Sequence, residues 1–202
     1  QTFQKVYFGS LQYLVDRELQ DYGTGAGGIK NMWYAIQTIT GNEEEAAEGI
    51  KRMVDAESYE DCFLLKREAV WRIQGICRVH VERLFPGYVF ISTQHPKEVY
   101  QQLKRVSSYT KVLGKEGEEF YPVSKEEEEF LKDLLNGDED YTVRLSPAEV
   151  DEQRNIIACK GPLQKYLDRV VKKRIRLRYV IIRVHLFGRD REILMGLRLN
   201  GD

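Results

Sequence analysis

The hydrophobic pattern changes period once along this chain, across the polar run Asn136-Gly137-Asp138-Glu139-Asp140, and that change splits it into two folding units. Ahead of it strands alternate with helices. A strand is expected over 33–39, followed by a helix with Asn42 as N-cap and Glu43, Glu44 and Glu45 on the positive end of its dipole. Ala46, Ala47, Ile50, Met53 and Val54 recur at helical spacing and supply its buried face. Strands are expected at 62–67, 70–74 and 86–91, with a charged hairpin or loop at 75–83. Pro96 starts a second helix, with Val99, Leu103 and Val106 on one side. Ser124 caps a third, carrying Phe130, Leu131, Leu134 and Leu135. Beyond the polar run only β patterns remain: 155–159, 169–171, 178–187 and a strand from 192, separated by Gly turns. The expected class is α+β. An α/β sandwich of an antiparallel sheet with helices spans 32–135, a linker 136–148, and a small SH3-like β-barrel 149–202. Residues 1–31, with a Gly-rich stretch from Gly23 to Gly28, stand apart as an N-terminal extension: a disordered arm, or sequence upstream of a true start at Met32.

Charge divides the same way. Residues 32–140 hold 14 Lys and Arg against 22 Asp and Glu, whereas residues 141–202 hold 14 against 7. An acidic unit followed by a basic one implies two partners, with polyanion contact assigned to the second. No apolar run reaches a membrane span and no leader pattern is present, so a soluble, cytoplasmic, monomeric protein is expected. Cys62, Cys77 and Cys159 lack metal-ligand spacing and read as small hydrophobes in a reducing compartment. His80, His95 and His185 have no adjacent ligand partners, the glutamate runs read as helix N-terminal charge, and no phosphate loop or nucleophile elbow occurs. No metal, cofactor or catalytic activity is expected.

The run Leu84-Phe85-Pro86-Gly87-Tyr88-Val89-Phe90-Ile91 carries the strongest functional signal. Pro and Gly at its start favour a sheet edge or strand entrance. Period-2 alternation puts Pro86, Tyr88 and Phe90 on one face and Gly87, Val89 and Ile91 on the other. The aliphatic side already supplies a core, which leaves the aromatic side for contact. Of Trp33 and Tyr34, at least one is expected to be structural.

These residues, together with Gly41, Val106 to Gly114, Gly161-Pro162-Leu163 and Phe187-Gly188-Arg189, resemble the NusG family of transcription elongation factors: an N-terminal polymerase-binding (NGN) domain followed by a KOW barrel. Within the family the chain is most similar to the LoaP branch of antiterminators, through Cys62-Phe63, the Trp71 hairpin, Glu118-Glu119-Phe120 with Pro122, the Glu-rich third helix and Met195-Gly196-Leu197. The resemblance implies that Phe85, Pro86, Tyr88 and Phe90, with Val112 at the edge and Trp33 nearby, grip the clamp helices of the largest RNA polymerase subunit. It places Tyr100 and Gln101 near the gate loop of the second large subunit, although an ordinary solvated helix face accounts for them equally well.

In the second unit Lys160, Lys165, Lys172, Lys173, Arg174, Arg176 and Arg178 crowd into a turn and a hairpin, with Tyr166 and Tyr179 interleaved. That density suits phosphate contacts to a nascent RNA hairpin, with base stacking on the tyrosines and base-edge contact from Arg176 or Arg178. The alternative is a solubilising surface, and in relatives the barrel also docks ribosomal protein S10 or Rho. The chain departs from the KOW pattern at Asp168, where a Gly is usual, and at Gln153-Arg154, where a Gly-acid pair is usual. A left-handed Asp168 would leave the barrel marginally stable.

Overall fold

The computed structural model describes residues 31–105, 120–200 and 202; the N-terminal extension up to residue 30, the segment 106–114 and Val112 lie outside them. The first unit is built on a four-stranded antiparallel sheet in the order β2-β5-β1-β6, from β1 (Met32–Gln37), β2 (Asp61–Phe63), β5 (Tyr88–Thr93) and β6 (Phe120–Pro122). Alternation along the strands sorts the side chains onto two faces. Tyr34, Ile36, Cys62, Val89 and Ile91 pack with Ala46, Ala47 and Ile50 of helix α1 (Glu43–Met53) and with Val99 and Leu103 of helix α2 (Pro96–Arg105). Trp33, Ala35, Phe63, Tyr88 and Phe90 belong to a separate cluster with Leu131, Leu134 and Leu135 of helix α3 (Lys125–Leu135). The sheet is therefore buried on both sides, and both Trp33 and Tyr34 are structural, one on each face.

Between β2 and β5 the chain makes a long ribbon, β3 (Lys66–Ile73) with β4 (Ile76–Arg83), where sequence reading gave two shorter strands and a loop. Its turn residues Gln74 and Gly75 both have positive φ, the geometry of a two-residue hairpin, but with Gln where Asn or Asp is usual.

Helix ends follow the expected chemistry in one case and not in another. Ser124 and Glu127 form a complete capping box at the start of α3. Asn42 makes no side-chain cap. Instead the carboxylate of Glu43, only 2 % exposed, accepts from the backbone N–H of Gly41 (3.0 Å) and of Gly87 (2.7 Å). Burial works against ionisation of Glu43, yet these donors, with help from Arg83, hold its pKa below the ordinary value. Gly87 has φ +83°, which turns the chain before β5 and delays the strand to Tyr88.

The stretch expected as a linker is largely structured. Asn136, left-handed, ends α3; β7 (Thr142–Val143) pairs in parallel with Lys66 and Arg67 of β3. The strand β8 (Ser146–Val150) already belongs to the second unit, a curled five-stranded sheet in the order β10-β11-β12-β8-β9. The other members are β9 (Ile156–Cys159), β10 (Val170–Arg174), β11 (Tyr179–Leu186) and β12 (Arg189–Leu199). Asp168 lies inside a 3-10 turn, Gln164–Arg169; it is Arg154 that is left-handed, at φ 65°, in a turn closed by Asp151 and Asn155. The ground for marginal stability at Asp168 is thereby removed.

Candidate functional site

The aromatic face of β5 does not meet solvent: the barrel closes over it. The β11–β12 hairpin turns at Phe187-Gly188, both with positive φ, and presents the Phe187 ring to the sheet. Ring centroids lie 5.6 Å from Phe85, 5.8 Å from Tyr88 in a stacked orientation, and 6.0 Å from Phe90. The Arg191 guanidinium sits 4.9 Å from the centroids of both Tyr88 and Phe187 and donates to the Tyr88 hydroxyl at 2.8 Å. Such stacking over an aromatic face contributes about 0.5–2 kcal/mol. Phe85, Tyr88 and Phe90 are 6 %, 7 % and 0 % exposed, and only Pro86 of the expected contact patch is open.

Helix α3 supplies the rest of the clasp. Glu127 uses one carboxylate oxygen for its capping box and offers the other to the backbone N–H of Phe187 at 2.6 Å. Asp133 accepts from the Tyr166 hydroxyl (2.8 Å) and pairs with Lys165; the Lys165 hydrogen bond is the main cause that lowers the Asp133 pKa. Burial, then the bond to Asp133, pushes the Tyr166 hydroxyl up, so it remains a donor. Arg169 lies over Tyr166 and Phe130. On the ribbon, Glu68 accepts from the Leu145 N–H (2.9 Å) and pairs with Arg144, and Gly196 lies so close that a Cβ there would come 2.6 Å from the Glu68 carbonyl oxygen.

The expected basic cluster separates into two groups. Lys165 is engaged with α3, and Arg178, left-handed at φ 60°, is clamped by Asp202, whose pKa falls to about 2 chiefly through that pair. Arg178 is thereby withdrawn from the surface, whereas Lys165, although paired, keeps an exposed side chain. Lys160, Lys172, Lys173, Arg174 and Arg176 are exposed, the middle three on β10, an edge strand, and Arg176 on the 3-10 turn Ile175–Leu177 that follows it. Tyr166 is buried and Tyr179 half-buried. Trp33 meets Phe63 at 4.8 Å, with the Lys132 ammonium over its ring. Tyr100 is half-buried against the α1–α2 core and Gln101 is exposed. Two pairs of residues were not legible in the sequence: Phe187 and Arg191 as the cover of the patch, and Glu127 and Asp133 as its fastening. A Phe-Gly dipeptide is not a recognised hairpin signal, and four consecutive glutamates give no sign of which one faces the barrel.

Fold and surfaces together define a class: a two-unit protein in which an α/β sandwich carries a small β-barrel against its own aromatic face. The family model described as "Transcription termination factor nusG" matches residues 31–132. The chain belongs to the NusG family. A transcription termination/antitermination protein NusG of Haemophilus influenzae is 23 % identical over 164 residues, covering 79 % of this chain and 88 % of that one. The Thermus thermophilus protein of the same name is 26 % identical over 171 residues, covering 78 % and 91 %. A solved structure described as "Domain interaction in Thermotoga maritima NusG" is 24 % identical and covers 85 % of this chain and 96 % of its own, with a TM-score of 0.48.

Among the described residues no group of His, Cys, Asp and Glu is arranged to hold a metal, and no helix is long and apolar enough to cross a membrane.

Proposed function

We propose that this protein is a processive antiterminator, of the LoaP kind, that engages RNA polymerase through the aromatic face of β5 and holds a nascent RNA hairpin on the basic edge of its barrel. The observation that carries this reading is the division of labour on the barrel: Lys165 and Arg191 fasten it to the first unit, while Lys172, Lys173, Arg174 and Arg176 make no ion pair among the described residues and stay exposed along and just after the edge strand β10. Polymerase and barrel compete for Phe85, Tyr88 and Phe90, so engagement of polymerase requires the barrel to swing away. Bridging the polymerase cleft then works by population shift, because a ligand of the elongating form disfavours the paused one.

The test is an electrophoretic shift of the full chain with a leader-RNA hairpin at several salt concentrations. Affinity is expected to fall steeply with salt, and replacing Lys172 and Lys173 by Ala is expected to reduce the log–log slope by roughly one to two units. Equal, weak binding to every RNA would favour the second reading, a general elongation factor whose barrel docks a protein such as ribosomal protein S10 or Rho. That reading has its own support in Ile157, Leu167, Val171 and Leu177, which are large, apolar and exposed on the barrel.

A further inference from the structure

The β3–β4 ribbon runs against the acidic balance of the first unit: residues 66–83 carry five Lys and Arg against two acids. Both acids are occupied. Glu82 pairs with Arg67 and His80, and Glu68 with Arg144. Arg72 and Arg78, near the tip, are exposed and have no acid partner among the described residues. The pairing register puts Trp71 opposite Arg78 and Ile73 opposite Ile76, on one face of the ribbon. Trp71 is 56 % exposed, Ile73 50 % and Ile76 61 %. An indole held that far into water is unusual, and it is not loose: its ring rests on His80, centroids 3.9 Å apart, so one flank is fixed and the other open.

The outer part of the ribbon adjoins the barrel's basic edge. Cys77, on β4, bonds through Sγ to Asp202 at 3.4 Å, and Asp202 is clamped by Arg178, two residues from the exposed Arg176. Resting on the reading that the barrel binds RNA, we propose that the ribbon is a second nucleic-acid contact: Trp71 is a stacking platform for unpaired bases of the RNA whose phosphates lie along Lys172, Lys173, Arg174 and Arg176, with Arg78, its cross-strand partner on the same face, contacting a phosphate that flanks those bases and Arg72, on the opposite face, adding only to the positive potential of the tip. A flat aromatic face beside cations, without a hydrogen-bonding pocket, suits single-stranded bases of any sequence. Charge selects the occupant. A polyanion matches an exposed cationic ribbon on an otherwise acidic unit, whereas an acidic protein groove would gain little from an open indole.

The chain's two tryptophans make the test direct, since Trp33 is buried and Trp71 is not. The probes are an RNA stem-loop with an eight-nucleotide unpaired loop and the blunt duplex of its stem, titrated into the full-length protein while tryptophan emission and affinity are followed. Stem-loop addition is expected to quench the emission of the wild type and not of Trp71→Phe. Trp71→Ala is expected to weaken the stem-loop by about tenfold, the low end of base–aromatic stacking, and to leave the duplex unchanged. Lys172→Ala with Lys173→Ala should weaken both. If Trp71→Ala and Arg78→Ala leave the stem-loop untouched while the lysine pair matters, the ribbon proposal fails and the RNA reading stands. If none of the variants changes RNA binding, the RNA reading itself fails. Loss of polymerase co-purification by Trp71→Ala with RNA binding intact would reassign the ribbon to protein contact and overturn the proposal.

Discussion

Phe187 combines two things that rarely meet: a bulky aromatic side chain and a left-handed backbone. The conformation costs on the order of 1–3 kcal/mol, which its contacts with Phe85, Tyr88 and Phe90 offset only while the barrel is closed. Phe187→Gly should relieve the backbone and remove the ring together, shifting the protein toward the open arrangement; small-angle scattering would register a larger radius of gyration, and co-purification with core polymerase should rise. A wild-type scattering profile would remove Phe187 from the account of closure. Asp133 gives closure a pH dependence of definite sign. Its pKa is depressed in the closed state, so its contribution is complete above the ordinary carboxylate value and is lost as pH falls through the depressed one. Closure followed by scattering should therefore weaken below about pH 4, and Asp133→Asn should flatten that part of the profile.

At the scale of elements, much was legible. The two-faced alternation of β5, the periods of the three helices and the Ser124 cap follow from residue type alone, and the structure reproduces them, whereas the Asn42 side chain makes no cap. The β3–β4 ribbon was under-read because its alternation is masked by charge on both faces, with Gln-Gly as its turn. The aromatic face was read as open because a single strand's pattern cannot tell a surface kept for a partner from one covered by a later domain of the same chain. Glu43 illustrates a different failure: as one acid of three at a helix start it looked like dipole complement, and only the approach of Gly87 from 44 residues away reveals it as a buried acceptor. Glu43→Ala should leave the N–H groups of Gly41 and Gly87 without an acceptor and cost about 1–3 kcal/mol, measurable by urea denaturation. Gly196→Ala acts between elements. Its Cβ would press on the Glu68 carbonyl, forcing β12 away from β3, and hydrogen exchange at Leu145 should quicken as its bond to Glu68 loosens.

For the molecule as a whole, the short parallel pairing of β7 with β3 sets how far the barrel can travel once released. If that pairing holds, only Arg144 and Leu145 separate the anchored strand from β8, and two extended residues span about 7 Å. The barrel would then pivot like a door on its frame, sampling a shell scarcely wider than itself. If Thr142 and Val143 detach, the free chain runs from Asn136 to Leu145, a reach of roughly 35 Å, and the barrel searches a sphere of that radius around the end of α3. Two ladder residues thus choose between a hinge and a leash, and with that choice the distance from the docked sandwich at which emerging RNA can be caught.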